Sequence, residues 1–191
     1  MTNRQRRNQP HHARRRRSPW PWIGLLVPLA TIAALVILGS GDDETTEATT
    51  ASTAMMFELP TTDGTTFALR DALAESDVLL YFSMGVGCDG CFAQIPEVAD
   101  ALDQRGITLV PVMVQDADLV DRAAAAWGID RPIVIDADRS VSDAYGMLGI
   151  NGHDDRPFHS IALVTQDGTT SFVKHYETMF VEAGQMLADL S

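Results

Sequence analysis

The chain has 191 residues, of which 46% are hydrophobic, and this suits one modest globular domain with accessory segments. Its formal net charge of −12 is unevenly distributed, because seven arginines lie within the first 17 residues and all 26 acidic residues follow from Asp42 onward. So acidic a body would repel phosphates, which excludes nucleic acid as an expected partner.

The amino-terminal part reads as a membrane tether. Residues 1–19 form a basic head, and residues 20–39 are uncharged and apolar enough for a transmembrane anchor, since about 20 helical residues span a bilayer core. Trp20 and Trp22 suit the membrane interface, and the preceding arginines predict a single-pass cell-membrane protein with a cytoplasmic amino terminus and an extracytoplasmic domain. A cleaved signal peptide is the alternative, but no small-residue cleavage site closely follows Leu38.

Residues 40–54 are small, polar and acidic, which predicts a flexible stalk and places the folded domain at residues 55–191. Within the domain, apolar runs and turn residues predict an alternation of strands and helices. The predicted strands are 56–59, a short one at Phe67, 78–82, 107–114, 133–135, 160–165 and 170–175, and the predicted helices are 88–104, 118–127 (capped by Asp118), 140–147 and 181–190. This order predicts an α/β fold of three layers, in which helices flank a central mixed sheet.

The only two cysteines, Cys88 and Cys91, lie between a buried strand and a helix. A disulfide that closes so short a loop adds little stability, so reactivity is the stronger reason for the pair. The helix dipole and the unpaired first N–H groups are expected to lower the pKa of the Cys88 thiol and make it the attacking sulfur. Cys91, one turn later, is expected to resolve the mixed disulfide, and no cofactor is needed. An inert disulfide is the alternative.

Several segments together carry a family resemblance: the strand 79–83, the motif Cys88-x-x-Cys91, Pro96 within the following helix, the strand 107–114, and residues 144–146 and 161–168. On these residues the domain resembles a thioredoxin-fold redoxin of the AhpC/TSA type, the broad group that holds membrane-tethered thiol-disulfide proteins and peroxiredoxins. The resemblance implies a thioredoxin-like fold and redox exchange with protein clients that carry disulfides or dithiols. A membrane partner that passes electrons outward is a candidate electron source.

The sequence departs from the family pattern around the motif. Gly87 stands where the family has an aromatic residue, and the motif interior is Asp-Gly instead of Gly-Pro. Thioredoxin-like members place a cis-proline opposite the disulfide, about nine residues before the glycine of the last hairpin. Counting back from Gly168 reaches His159, with Pro157 two residues earlier, so either Pro157 or His159 is expected to face the sulfurs.

Peroxidase activity is not expected, because the peroxiredoxin pattern Pro-x-x-x-Thr-x-x-Cys is missing. Ahead of Cys88 the matching positions hold Tyr81 and Gly85, and ahead of Cys91 they hold Met84 and Cys88. The pocket arginine is also absent where His159 stands, so a departing peroxide oxygen would lack donors.

Copper delivery is a further alternative from a different class. Two thiolates and one imidazole suit Cu(I), which prefers soft ligands, and Cys88, Cys91 and His159 could supply them. Copper-delivery proteins of the thioredoxin fold resemble this arrangement, but their cysteines are normally separated by three residues, so the match is loose.

Overall fold

The structure, a computed structural model, describes residues 51–191. The basic head, the predicted transmembrane anchor and the first part of the predicted stalk lie outside the described residues. Among the helices of residues 51–191, none is both long enough and apolar enough to cross a membrane.

A mixed sheet of six strands forms the centre of the domain. In chain order the strands are β1 (Ser52–Thr53), β2 (Glu58–Pro60), β3 (Thr66–Ala68), β4 (Asp77–Phe82), β5 (Ile107–Met113), β6 (Val134–Ile135), β7 (Ser160–Val164) and β8 (Thr169–His175). The sheet order is β1-β8-β7-β4-β5-β6, while β2 and β3 form a separate antiparallel pair. β4 lies parallel to β5 and antiparallel to β7, and its apolar run is buried because both faces of the sheet are covered.

Five helices of residues 51–191 cover the two faces of the sheet. They are α1 (Leu69–Leu73), α2 (Asp89–Asp103), α3 (Ala117–Ala126), α4 (Ser140–Ala144) and α5 (Ala183–Asp189). Buried residues of α2, α3 and α5 pack in one apolar cluster with Leu79 and Tyr81 of β4. Buried residues of α1 and α4 pack in a second cluster with Leu80 and Phe82, on the opposite face. The predicted three-layer arrangement is therefore confirmed.

Some local predictions differ from the structure. β1 pairs with β8, and Ala54 is buried, so the sheet begins inside the segment predicted to be stalk. The short helix α1 was not predicted. Helix α3 is capped by Asp116, whose carboxylate accepts a hydrogen bond from the Leu119 N–H at 3.2 Å, and the prediction of Asp118 as the cap is wrong.

Candidate functional site

The two cysteines form a disulfide at the amino-terminal end of α2. Cys88 is the residue that caps the helix and Cys91 lies in its first turn, with their Cα atoms 5.3 Å apart. The Cys91 N–H donates a hydrogen bond of 3.3 Å to Cys88 Sγ. Cys88 is 4% exposed and Cys91 is completely buried. The first turn of the helix therefore points a backbone donor, shared with the Cys88 carbonyl at 3.1 Å, at the sulfur of Cys88, while Cys91 lies behind it.

The turn that leads from β4 to Cys88 depends on glycine. Gly85 has a φ of 70° and its carbonyl accepts the Cys88 N–H at 3.0 Å. Gln115, at the end of β5, donates from Nε2 to the Met84 carbonyl at 2.6 Å, and a Cβ on Gly85 would lie only 2.0 Å from Gln115 Oε1. A side chain at position 85 would therefore be strained by the positive φ and would have to displace the end of the Gln115 side chain, a contact that sequence reasoning missed.

A segment close to the carboxyl end, residues 178–181, packs against the motif. The carbonyl oxygen of Met179 lies so near Gly90 that a Cβ there would be 2.8 Å away. The buried side chain of Gln94 in α2 accepts the Val181 N–H at 2.6 Å and donates to the Val181 carbonyl. The segment 178–181 is therefore attached to the same helix that carries the cysteines, and the glycine inside the motif permits its close approach.

His159 is fully buried beside this segment. Its Nδ1 lies 2.5 Å from the Thr178 carbonyl, and because a carbonyl only accepts, Nδ1 carries the proton. Nε2 is buried and, among the described residues, has no hydrogen-bond partner. Burial lowers the pKa of the His159 imidazole, and the bond to Thr178 only partly opposes this effect. The ring is therefore neutral at neutral pH, with an unprotonated Nε2.

Tyr81 connects His159 with the motif. Its ring stands edge-on to the His159 ring, with centroids 5.3 Å apart, and its hydroxyl donates to the Cys91 carbonyl at 3.1 Å. Burial raises the pKa of the Tyr81 hydroxyl, which therefore stays protonated and acts as a donor. Sequence reasoning gave Tyr81 no role, although its position on the face of β4 that packs against α2 follows from the strand alternation.

Pro157 and His159 were the two candidates for the loop that faces the disulfide. Pro157 is buried and is separated from β7 by Phe158 and His159, and residues 51–191 contain no cis peptide bond. Of the two, His159 contacts Tyr81 and Thr178, which in turn lie against the motif and the segment 178–181. Which of Pro157 and His159 faces the sulfurs stays a prediction.

Within residues 51–191, no three His, Cys, Asp or Glu side chains converge as a metal site. A copper site made of Cys88, Cys91 and His159 would need both sulfurs reduced, and copper binding by the reduced protein stays a prediction.

Comparison with known proteins gives a family and a fold. A family model described as the AhpC/TSA family matches residues 50–175. No curated protein matches the chain.

Among solved structures, peroxidoxin BcpB from Mycobacterium tuberculosis is 23% identical with a TM-score of 0.64, covering 74% of this chain and 95% of that one. The Xanthomonas campestris bacterioferritin comigratory protein, described for alkyl peroxide reduction, is 21% identical with a TM-score of 0.60, covering 70% and 89%. The yeast mitochondrial 1-Cys peroxiredoxin is 20% identical with a TM-score of 0.61, covering 71% of each chain. These likenesses confirm the predicted thioredoxin-like α/β fold.

Proposed function

The chain belongs to the AhpC/TSA family of thiol-based redox proteins, and from this premise we propose that it exchanges disulfides with client proteins through Cys88 and Cys91. One observation carries the proposal. The disulfide lies at the start of α2, where the Cys91 N–H donates to Cys88 Sγ. A thiolate formed at Cys88 on reduction is stabilised by this donor and by the helix dipole, which makes Cys88 the nucleophile.

The exchange balances with two electrons for each client disulfide. The Cys88 thiolate attacks one sulfur of the client, the client disulfide breaks, and a mixed disulfide and one client thiolate form. The Cys91 thiolate then attacks Cys88 Sγ, the second client thiolate leaves, and the Cys88–Cys91 disulfide re-forms. The client has been reduced and the protein oxidised. The same steps in reverse would oxidise a client dithiol.

Peroxide reduction is the second candidate, because the similar solved structures are named as a peroxidoxin and peroxiredoxins. The turn before Cys88 argues against it. A threonine hydroxyl three residues before the reactive cysteine would have to stand at Gly85, where φ is positive and Gln115 fills the space of a Cβ. Ahead of Cys91 the same position is Cys88 itself, whose sulfur is already bonded.

The described arginines that make hydrogen bonds or ion pairs make them with other groups, Arg105 with the Leu187 carbonyl and Arg156 with Asp155. Arg139 donates to the Asp155 carbonyl, and Arg131 donates to the Leu109 carbonyl. The position that the family resemblance assigns to a pocket arginine holds the neutral His159. A leaving hydroxide would therefore lack the cationic donor that stabilises developing negative charge.

A trapping experiment tests the exchange reaction. We expect full-length protein with Cys91→Ser to accumulate mixed disulfides with clients on Cys88, because the resolving sulfur is gone. Cys88→Ser is the matched control and should trap few or none. The trapped species should dissolve on reduction, and mass spectrometry should map the link to Cys88. An empty Cys91→Ser trap, together with failure of the wild-type protein to reduce or oxidise a model disulfide protein, contradicts the proposal.

Peroxide consumption separates the two candidates. With a thiol electron donor present, we expect the wild-type protein to react with hydrogen peroxide no faster than a free thiol of the same acidity. Measurement of hydrogen peroxide loss by stopped-flow mixing gives this rate directly. Saturating peroxidase turnover, abolished in Cys88→Ser, would establish the second candidate instead.

We further propose that the domain is tethered to the outer side of the cytoplasmic membrane. The support is the arginine-rich head followed by the uncharged apolar residues 20–39. In a membrane fractionation, full-length protein should stay in the pellet after alkaline extraction, while a variant lacking residues 1–39 should be released. Release of the full-length protein without detergent would contradict the tether.

A further inference from the structure

We propose that His159 is the proton acceptor for Cys91, taking the thiol proton when Cys91 attacks the mixed disulfide at Cys88. The proposal rests on the exchange reaction described above and assigns to it a residue outside the cysteine motif. His159 follows Pro157 and Phe158 in the loop that enters β7, far from the cysteines in sequence.

The placement of His159 follows from the register of the sheet. Ser160 pairs with Phe82, the last residue of β4, so His159 lies at the end of β4 from which the chain leaves for Cys88. Side chains alternate along β7, and Ile161 belongs to the apolar cluster that contains α2. His159 therefore projects on the face of the sheet that carries α2, at the end where α2 begins.

The hydrogen bonding of His159 leaves a base without a partner. Nδ1–H donates to the Thr178 carbonyl, so the lone pair is on Nε2, which is buried and unpartnered among the described residues. A buried acceptor without a donor is costly and rare in folded proteins. In the oxidised protein neither sulfur bears a proton, whereas reduction adds a thiol S–H donor at Cys91. The missing donor is thus one that the redox cycle itself supplies.

The chemistry of Cys91 requires such a base. An ordinary cysteine thiol is mostly protonated at neutral pH, and burial favours the protonated form further. Cys91 has no exposed surface, so bulk water cannot easily take its proton. Its carbonyl already accepts from Tyr81, whose ring contacts His159 edge-on, so one tyrosine lies against both the cysteine and the imidazole.

The other titratable groups around His159 cannot serve as the base. Tyr81 and Tyr176 both contact its ring, and burial is the main reason that both hydroxyls have raised pKa values and stay protonated. Asp189 lies behind Tyr176, accepting its hydroxyl at 3.0 Å and pairing with Lys174 at 2.8 Å. Glu177 and Asp89, the nearest acidic residues in sequence to Thr178 and the motif, are exposed.

The step balances in protons and electrons. The Cys91 thiol gives its proton to His159 Nε2, and the resulting thiolate attacks Cys88 Sγ. The bond between Cys88 and the client breaks, and the client sulfur leaves with the electron pair. The imidazolium then returns the proton to the client thiolate or to solvent, which restores neutral His159.

The role of His159 as proton acceptor can be tested in the full-length protein with a disulfide reagent that releases one coloured thiol at each of the two exchange steps. Reduced protein is mixed with the aromatic disulfide dithiobis-nitrobenzoate. Attack by Cys88 releases the first nitrothiobenzoate, and resolution by Cys91 releases the second. We expect His159→Asn to slow the second release by about 100-fold at pH 7, because general bases contribute at least this much, and to leave the first release unchanged. Asparagine keeps a donor for the Thr178 carbonyl but provides no base.

The pH profile and a matched control separate a chemical role from a structural one. The defect of His159→Asn should shrink at a pH above the ordinary thiol pKa of about 8.5, because burial moves the unaided ionisation of Cys91 to higher pH. His175→Asn is the control, since His175 contacts Ser160 Oγ on the opposite face of the sheet, and both of its releases should match the wild-type rates. A second release that is unchanged in His159→Asn, or slowed equally at every pH, overturns the inference.

A measurement on the unmodified protein covers the case in which the variant does not fold. The nitrogen resonance of His159 Nε2 should shift when the wild-type disulfide is reduced, because a thiol donor then reaches it, and an unchanged resonance overturns the inference. The proposed function fails separately. If Cys88 gives no first release, the exchange reaction is wrong, whereas a normal first release with a second release independent of His159 rejects only the proton acceptor.

Discussion

The close approach of the segment 178–181 to the cysteine motif can be measured through Gly90. In Gly90→Ala the new Cβ would lie 2.8 Å from the Met179 carbonyl oxygen and 3.2 Å from its carbonyl carbon. Such a contact is too short to persist, so the segment or the helix must move, and overpacking of this kind costs about 1–3 kcal/mol. Alanine is a better helix former than glycine by about 0.5–1 kcal/mol, which offsets part of the cost. We expect a net loss of about 1–2 kcal/mol of unfolding free energy.

Gly184 gives a matched control, because it is also helical and a Cβ there would meet nothing within 4 Å. Gly184→Ala should therefore raise the unfolding free energy, by up to about 1 kcal/mol. Thermal unfolding of the oxidised full-length protein, followed by circular dichroism, should show a midpoint roughly 2–8 °C lower for Gly90→Ala and slightly higher for Gly184→Ala. If both variants raise the midpoint equally, the segment 178–181 does not pack on the motif, and the argument for its contacts is wrong.

Three further predictions concern side chains that hydrogen-bond or ionise. Gln94→Ala leaves the N–H and the carbonyl of Val181 unpaired, and denaturant titrations should show an unfolding free energy lower by about 2–4 kcal/mol. The control is Gln185→Ala, at an exposed position, which should change the unfolding free energy by less than about 0.5 kcal/mol. Asp116→Ala removes the cap of α3 and should cost about 1 kcal/mol, while an Asp118→Ala control with an equal cost would reject Asp116 as the cap. Burial raises the pKa of all three tyrosines, in Tyr145 to about 12, so spectrophotometric titration of the folded protein should show no phenolate near pH 10. Because the folded pKa exceeds the unfolded one, tyrosine burial stabilises the fold fully below pH 10, and this contribution falls above it.

The central strands could be predicted from sequence because a strand that is buried on both faces is an unbroken run of apolar residues. The apolar runs 78–82 and 107–114 correspond to Asp77–Phe82 and Ile107–Met113, within one residue at each end. A parallel pair in the middle of a sheet is covered by helices on both sides, so nearly every residue must be apolar.

The elements that could not be predicted from sequence, β1, α1 and the cap of α3, have no comparable run of apolar residues. Ser52 and Thr53 are polar and join the sheet only because the edge of β8 is available for pairing. Helix α1 has five residues, too few to show a helical period. The predicted cap of α3 is two residues too late because Asp116 and Asp118 both lie at the start of this helix and local sequence does not select between them.

The position of the cysteine pair could be predicted, but its surroundings could not. The spacing of Cys88 and Cys91 and the strand before them predict a disulfide at a helix start, which the structure contains. The contact between Gln94 and Val181 joins residues 87 apart in the chain, and no local pattern announces it. The same holds for Gln115, whose contact with the turn depends on the pairing of β4 with β5.

Three residues that depart from the family pattern, Gly85, Gly90 and His159, are connected by contacts around the cysteine motif. Gly90 permits the approach of Met179, and this segment supplies the carbonyl that holds His159 Nδ1 and so leaves Nε2 free for a proton. Gly85 permits the turn that Gln115 contacts, and a side chain at this position would be strained by the positive φ and would have to displace the end of the Gln115 side chain. The proposed preference for sulfur exchange over peroxide reduction therefore rests on two features, the turn at Gly85 and the neutral His159.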